Sequence, residues 1–346
     1  MKLRLLAAAL ALLATPAAAD TLIDKVDGLT LDAEGRPDRF TGLVIGNDGR
    51  IAAVLHAGDK RPRADFAVDG RHLVLLPGLI LRDSRLMAMA LATVTPAGVD
   101  PASLPPPRPE DRDLALATLQ PVLLARGITT VTDIGTTIED WQAYRRAGDE
   151  NRLALRIVAY AAGTPAMSLI AGPRPTPWLY DDRLRLAGVA LVAPTPLGPA
   201  GEVQLKNQVS RAAMDHFQVS VRTDATVEPQ VRAAFAELAQ TYTGDRRWRI
   251  EAPTASTTTP LAAIGGALDR IQALRTLTVD AARDAFADGR LGRLTVGARA
   301  DFILIDRDPE TAGAQEFAGA RVIETWVGGR RAWGAAAANA SSGDSR

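Results

Sequence analysis

The chain has 346 residues, with 40 Lys and Arg balancing 40 Asp and Glu, three histidines and no cysteine. A formal net charge of zero argues against nucleic-acid or membrane-surface binding driven by charge and leaves a small-molecule ligand or a protein partner. Without cysteine there are no disulfides, no thiolate chemistry and no lipid attachment through a thiol. The length suffices for one large domain, or a large and a small one.

In chain order, Lys2 and Arg4 precede an apolar run from Leu5 to Leu13 and the small residues Pro16-Ala17-Ala18-Ala19. This is the pattern of a cleavable export signal over residues 1–19, predicting a mature chain from Asp20 and a periplasmic or secreted location. The run is shorter than the roughly 20 apolar residues that a membrane span needs. From Thr21 to Leu76 short β-prone runs alternate with turns, and Asn47-Asp48-Gly49 between Gly42–Ile45 and Ile51–Leu55 predicts a hairpin. Asp301–Ile305 and Val322–Val327 repeat this texture, with Gly328-Gly329 as a turn. Neither end alone offers enough strands to bury a face. Residues 20–76 and 290–334 are therefore predicted to form one small composite β-sandwich domain. Residues 335–346 lack periodicity and read as a disordered tail.

Between them, residues 77–289 carry a different rhythm. Strand candidates at Leu73–Leu81, Ile128–Thr132, Leu155–Tyr160, Leu186–Val192, Phe217–Val221 and Arg249–Ile250 alternate with helical patterns. The helices fall at Asp113–Arg126, Ile138–Ala147, Glu202–Asp215 and Val227–Tyr242. Such alternation predicts parallel βα units in an α/β, TIM-like barrel. Only six strands precede the helical segments Pro260–Ile271 and Val279–Ala287, against about eight in a complete barrel, so part of the barrel is expected to be missing or irregular. Pro96–Pro109 reads as a loop stiffened by Pro105-Pro106-Pro107.

Leu76-Pro77-Gly78-Leu79-Ile80 resembles the first barrel strand of the metal-dependent amidohydrolases, in particular amidohydrolase family 3. Ala125-Arg126-Gly127-Ile128-Thr129-Thr130-Val131-Thr132-Asp133 resembles the second strand, Phe217–Val221 the fifth and Arg249-Ile250-Glu251 the sixth. The run from Leu291 to Pro309, followed by Val327-Gly328-Gly329-Arg330, is the most specific match. The resemblance spans nearly all of the expected mature chain. It implies a βα barrel with zinc or another divalent ion at its strand ends, a composite β-sandwich, and hydrolysis of non-peptide carbon–nitrogen bonds by metal-bound water.

The ligands that the resemblance calls for are replaced. The His-x-His pair after the first strand matches Asp83 and Arg85, the fourth-strand lysine matches Ala190, and the fifth- and sixth-strand histidines match Arg222 and Ala252. The eighth-strand aspartate falls in a stretch missing between Pro253 and Pro260. His56 and His72 belong to the β domain, and His216 precedes the fifth strand, at the end opposite a barrel's active site. No metal or other cofactor is therefore expected. Asp83, Ser84, Arg85, Asp133, Arg222, Asp224, Glu251 and Thr254 remain at the predicted strand ends. Asp83, Arg85, Arg222 and Asp224 are the candidate ligand-binding residues, with arginine either gripping an anion or balancing carboxylates. Asp133 and Glu251 are the candidate acid–base pair; ordinary ion pairs on a collapsed rim are the competing reading. No Gly-x-Ser-x-Gly elbow or phosphate loop is present. The expectation is an exported pseudoenzyme, with a metal-independent amide hydrolase and a ligand- or partner-binding scaffold as open alternatives.

Overall fold

The computed structural model describes residues 19–100, 103–251 and 259–335. Residues 1–18 of the expected export signal, Ala252, Thr254 and all of the expected tail but Ala335 lie outside the described residues.

The described residues begin with strands β1 (Ala19–Leu31), β2 (Pro37–Ile45), β3 (Ile51–Leu55), β4 (Ala64–Asp69) and β5 (Val74–Pro77). Then come β6 (Leu79–Ser84), α1 (Leu86–Val94), α2 (Pro109–Leu124), β7 (Ile128–Thr136), α3 (Ile138–Asp149), β8 (Arg156–Ala162) and α4 (Gly163–Ala171). The βα pattern continues through β9 (Leu184–Val192), α5 (Pro199–Met214), β10 (Gln218–Arg222), α6 (Glu228–Thr241) and β11 (Arg249–Glu251). Short helices α7 (Pro260–Gly265) and α8 (Arg270–Arg275), a π turn (Thr276–Asp280) and α9 (Ala281–Asp284) follow. The chain ends in β12 (Phe302–Ile305), α10 (Ala314–Ala318), β13 (Val322–Val327) and β14 (Arg330–Gly334). Local chemistry accounts for the longer helices. In α3, Thr137 and Asp140 exchange side-chain and backbone hydrogen bonds as a capping box, with acids in the first turn and Arg146 in the last.

Both ends of the chain meet in one eight-stranded sheet, ordered β14-β13-β12-β5-β1-β2-β3 with β4 also paired to β1. The junction is the antiparallel pairing of β12 with β5, from Phe302 opposite Pro77 to Ile305 opposite Val74. Ile23, Phe40, Leu43, Leu75, Phe302 and Trp326 share one buried cluster, each contributing on the order of 1.5–3 kcal/mol by burial. The predicted hairpin is β2–β3, whose partners run from Gly42 opposite Leu55 to Ile45 opposite Ile51. Its turn must have glycine: Gly49 has φ +74°, and a Cβ there would stand 2.5 Å from the Gly328 carbonyl oxygen of the β13–β14 turn.

The second sheet is wholly parallel and has the six expected strands, in the order β11-β10-β9-β8-β7-β6. Its edge strands β6 and β11 do not pair with each other, so the barrel is nearly closed. The π turn and α9 stand at the opening. Ala281, Ala282 and Ala285 pack with Ile80, Val158 and Tyr160, small side chains permitting a close approach. Asp284 fastens the plug from two sides: its carboxylate pairs with Arg82 on β6 at 3.0 Å, and its carbonyl accepts from Gln218 Nε2 on β10 at 2.7 Å.

Two sequence expectations need correction. The apolar run Leu73–Leu81 is not one strand, because Pro77-Gly78 divides it between the two sheets. Gly78 donates its N–H to Asp301 O, and a Cβ there would lie 2.3 Å from Thr129 Oγ1. Only glycine lets the chain pass this close. The second correction is that Pro260–Ile271 breaks at Gly265-Gly266, and α8 restarts where Asp269 caps the N–H of Gln272. Helix α4 was not foreseen, since Gly163 and Pro165 disguise its first turn. No helix of the described residues is long and apolar enough to cross a membrane.

Candidate functional site

The C-terminal ends of the parallel strands open onto a cleft of about 530 Å³ whose lining includes Arg85, Ala190, Gln204, Gln208, Arg222 and Glu251. Alternation along a strand places its residues. Val219 and Val221 of β10 belong to the cluster shared with the helices, and Ser220 and Arg222 take the other face. On β11, Arg249 and Glu251 share one face. The register sets Arg222 directly beside Glu251, so the pairing follows from backbone geometry.

Arg222 Nε donates to Glu251 Oε2 at 3.0 Å, and Nη2 lies 2.9 Å from the same oxygen. The Glu251 side chain is 7% exposed and that of Arg222 is 40% exposed. Burial pushes the Glu251 carboxyl up, and the neighbouring guanidinium opposes this. Ser220 Oγ is 3.5 Å from Oε1, the outer limit of a hydrogen bond.

Deeper in the barrel, Arg249 reaches from β11 to β6. Its Nη1 lies 2.7 Å from Asp83 Oδ1, and its guanidinium carbon is 4.9 Å from the centroid of the Tyr160 ring on β8. The Asp83 contact is close but poorly aligned, and the three guanidinium nitrogens make no directional hydrogen bond among the described residues. The attraction is thus ionic and cation–π in character. Asp83 adopts φ +49°, a left-handed position that aspartate tolerates better than most residues, and donates its N–H to Thr132 Oγ1 at 2.9 Å.

The remaining candidates serve the scaffold. Asp133 accepts from the N–H of Leu86 at 2.7 Å, from Thr136 Oγ1 at 2.7 Å and from the Tyr144 hydroxyl at 2.8 Å. It is buried against α1 and α3, and burial pushes its carboxyl up to about 6. It shares no hydrogen-bond partner with Glu251, and β8, β9 and β10 stand between their strands in the sheet. Ser84 Oγ donates to Thr132 O. Asp224, exposed, accepts from Thr226 and Val227 in its own loop and from Thr195 in the loop after β9, and the Thr195 and Thr226 hydroxyls hold its carboxyl down to about 2. Arg85 is exposed on the cleft wall. The structure therefore brings Arg85, Arg222 and Glu251 to one cleft, with Asp83 beneath, and leaves Asp133 and Asp224 outside it. Sequence reasoning missed Arg249 and Tyr160. The one available signal was the Arg-Ile-Glu alternation, which puts Arg249 on the same face as Glu251.

The comparisons with known proteins agree with this architecture. Residues 245–332 match the amidohydrolase family. The fold is similar to that of an uncharacterised metal-dependent hydrolase from Pyrococcus horikoshii, at 13% identity and TM-score 0.66 over 85% of this chain and 99% of that one. It is also similar to an adenosine deaminase from Xanthomonas campestris with bound zinc, at 17% identity and TM-score 0.62 over 92% of this chain and 93% of that one. Over residues 245–332 the chain is similar to the amidohydrolase family, and its fold is that of these hydrolases. No curated protein sequence matches it.

In this amidohydrolase-like barrel, the described residues at the mouth do not fit a divalent ion. Arg85 and Arg222 line the mouth, and a guanidinium has no lone pair to give. Ala190 offers no donor, and the Asp83 carboxylate faces Arg249. Nor does another site stand in: no group of three or more His, Cys, Asp or Glu side chains arranged to hold an ion occurs among the described residues. His56 and His72 lie beside Asp38 and Asp27 in the terminal sheet region, and His216 lines a cleft with residues at the N-terminal ends of β9 and β10.

Proposed function

We propose that this is an exported, metal-free amidohydrolase-like protein that no longer hydrolyses carbon–nitrogen bonds and instead serves as a ligand- or partner-binding scaffold. One observation carries the reading: the Arg222–Glu251 ion pair occupies the mouth of the barrel, with a fixed cation at a position where the family places a metal ligand. Replacing a ligand by arginine balances carboxylates that would otherwise be buried without a counter-charge. Arg85 and Arg222 together would grip an anionic group on a ligand entering the cleft. A metal-independent hydrolase on the same frame lacks its pair of acids, because Asp133 caps α1 while Glu251 faces the cleft. The division into a composite β-sandwich domain at 20–76 and 290–334 and a barrel at 77–289 belongs to the same reading, supported by the separate clusters around Phe302 and around Tyr144.

The test is the metal content of the mature chain purified from zinc-supplemented cells, measured by elemental mass spectrometry alongside circular dichroism. Folded protein with far less than stoichiometric metal is expected. One tightly held ion per chain would restore the hydrolase reading.

A further inference from the structure

A second cleft, of about 430 Å³, lies at the other end of the barrel, between the β2–β3 and β13–β14 turns and the loops leading into β8 and β9. Its volume falls in the roughly 300–1,000 Å³ range of small-molecule sites. We propose that this cleft binds a small phosphate-bearing molecule through Arg183 and Arg330, independently of the barrel mouth.

The argument rests on charge accounting around three neighbouring guanidinium groups. Arg156 is compensated: its Nε lies 2.5 Å and its Nη2 2.9 Å from the two carboxylate oxygens of Asp301. Asp301 also accepts from the N–H of Gly328 at 2.7 Å, so it has little capacity left for another cation. Arg183, next to Arg156, donates only to carbonyls, to Ala154 O at 2.6 Å and Val327 O at 3.2 Å. No carboxylate pairs with it at ion-pair distance among the described residues. Burial and the adjacent Arg156 hold its guanidinium down to about 10, with Arg330 adding to the repulsion and the more distant charges of Asp301 and Asp181 offsetting it only in part. Arg330 starts β14 beside the cleft and has no ion pair among the described residues.

Two other charges of the lining are already engaged. Arg299 pairs with Asp182 at 2.8 Å, and Asp48 accepts from the N–H of Arg50 within its own turn. Asp181 is exposed at the rim. Arg183 and Arg330 therefore line one cleft with no carboxylate at ion-pair distance from either among the described residues, and their forked donors match the geometry of a phosphate. Asn47, Asn151 and Tyr180 supply polar and aromatic wall for the organic part of the ligand.

The experiment is isothermal titration of the mature chain with inorganic phosphate, against chloride at equal ionic strength to separate binding from screening. Saturable binding is expected, weakened about tenfold or more by Arg330→Gln, as loss of one charge-assisted contact implies. Arg330 is exposed at the start of an edge strand, so this variant keeps the fold. Arg222→Gln, which removes any anion contact at the barrel mouth, leaves the component of phosphate binding that Arg330→Gln weakens unchanged. The proposal is overturned if the wild type shows no saturation, if Arg330→Gln binds as tightly as wild type, or if Arg222→Gln abolishes binding, since the phosphate would then sit at the mouth. Because Arg330 and Arg222 are read separately, failure here leaves the metal-free reading of the mouth intact.

Discussion

Arg249 on the last strand of the barrel sheet bridges to Asp83 on the first, with 2.7 Å between Nη1 and Oδ1. These strands share no backbone hydrogen bond, so this side-chain contact ties together two edges that a complete barrel would join through two further strands. A buried pair adds little net stability over a well-packed apolar substitute, yet removing one partner leaves a charge without compensation.

Arg249→Met is accordingly expected to cost about 3–5 kcal/mol, measured by urea denaturation. The double variant Asp83→Asn/Arg249→Met recovers most of that loss, since neither charge remains and asparagine keeps the left-handed backbone at position 83. A loss below about 1 kcal/mol in the single variant would show that the bridge does not hold the edges together.

Asp133 gives the fold a defined pH dependence. Burial raises its carboxyl from 3.8 to about 6, so between these values the folded chain binds the proton more tightly than the unfolded chain. Stability from this group is fully present below pH ~4 and is lost as pH rises through ~6, by up to about 3 kcal/mol. Denaturation curves from pH 4 to 7 should show the decline in wild type, and Asp133→Asn should lack that component. Parallel pH profiles for the two proteins would refute the assignment.

At the junction of the two sheets, Gly78→Ala puts a methyl group against Thr129, whose side chain is buried. Overpacking of this kind costs about 1–3 kcal/mol. The midpoint of thermal unfolding should fall in Gly78→Ala and largely return in Gly78→Ala/Thr129→Ala. No recovery in the double variant would locate the cost in the backbone at residue 78.

Much of this molecule was legible from residues alone, for local reasons. The hairpin was written in Asn47-Asp48-Gly49, whose glycine must take positive φ. The six-strand count came from apolar runs alternating with helical periods. That Arg85, Ala190 and Arg222 carry no lone pair for a metal is a matter of side-chain type that no folding can reverse. Tertiary structure alone decided what depends on which way a side chain faces. Parallel strands are buried on both sides, so their apolar pattern does not mark the inner face. For that reason Asp133 looked like a cleft residue until its strand turned it toward α1, and Arg249 went unnoticed until β11 aimed it at Asp83 and Tyr160. The division of Leu73–Leu81 between two sheets was likewise invisible, because the contact that demands Gly78 comes from Thr129, 51 residues further along the chain.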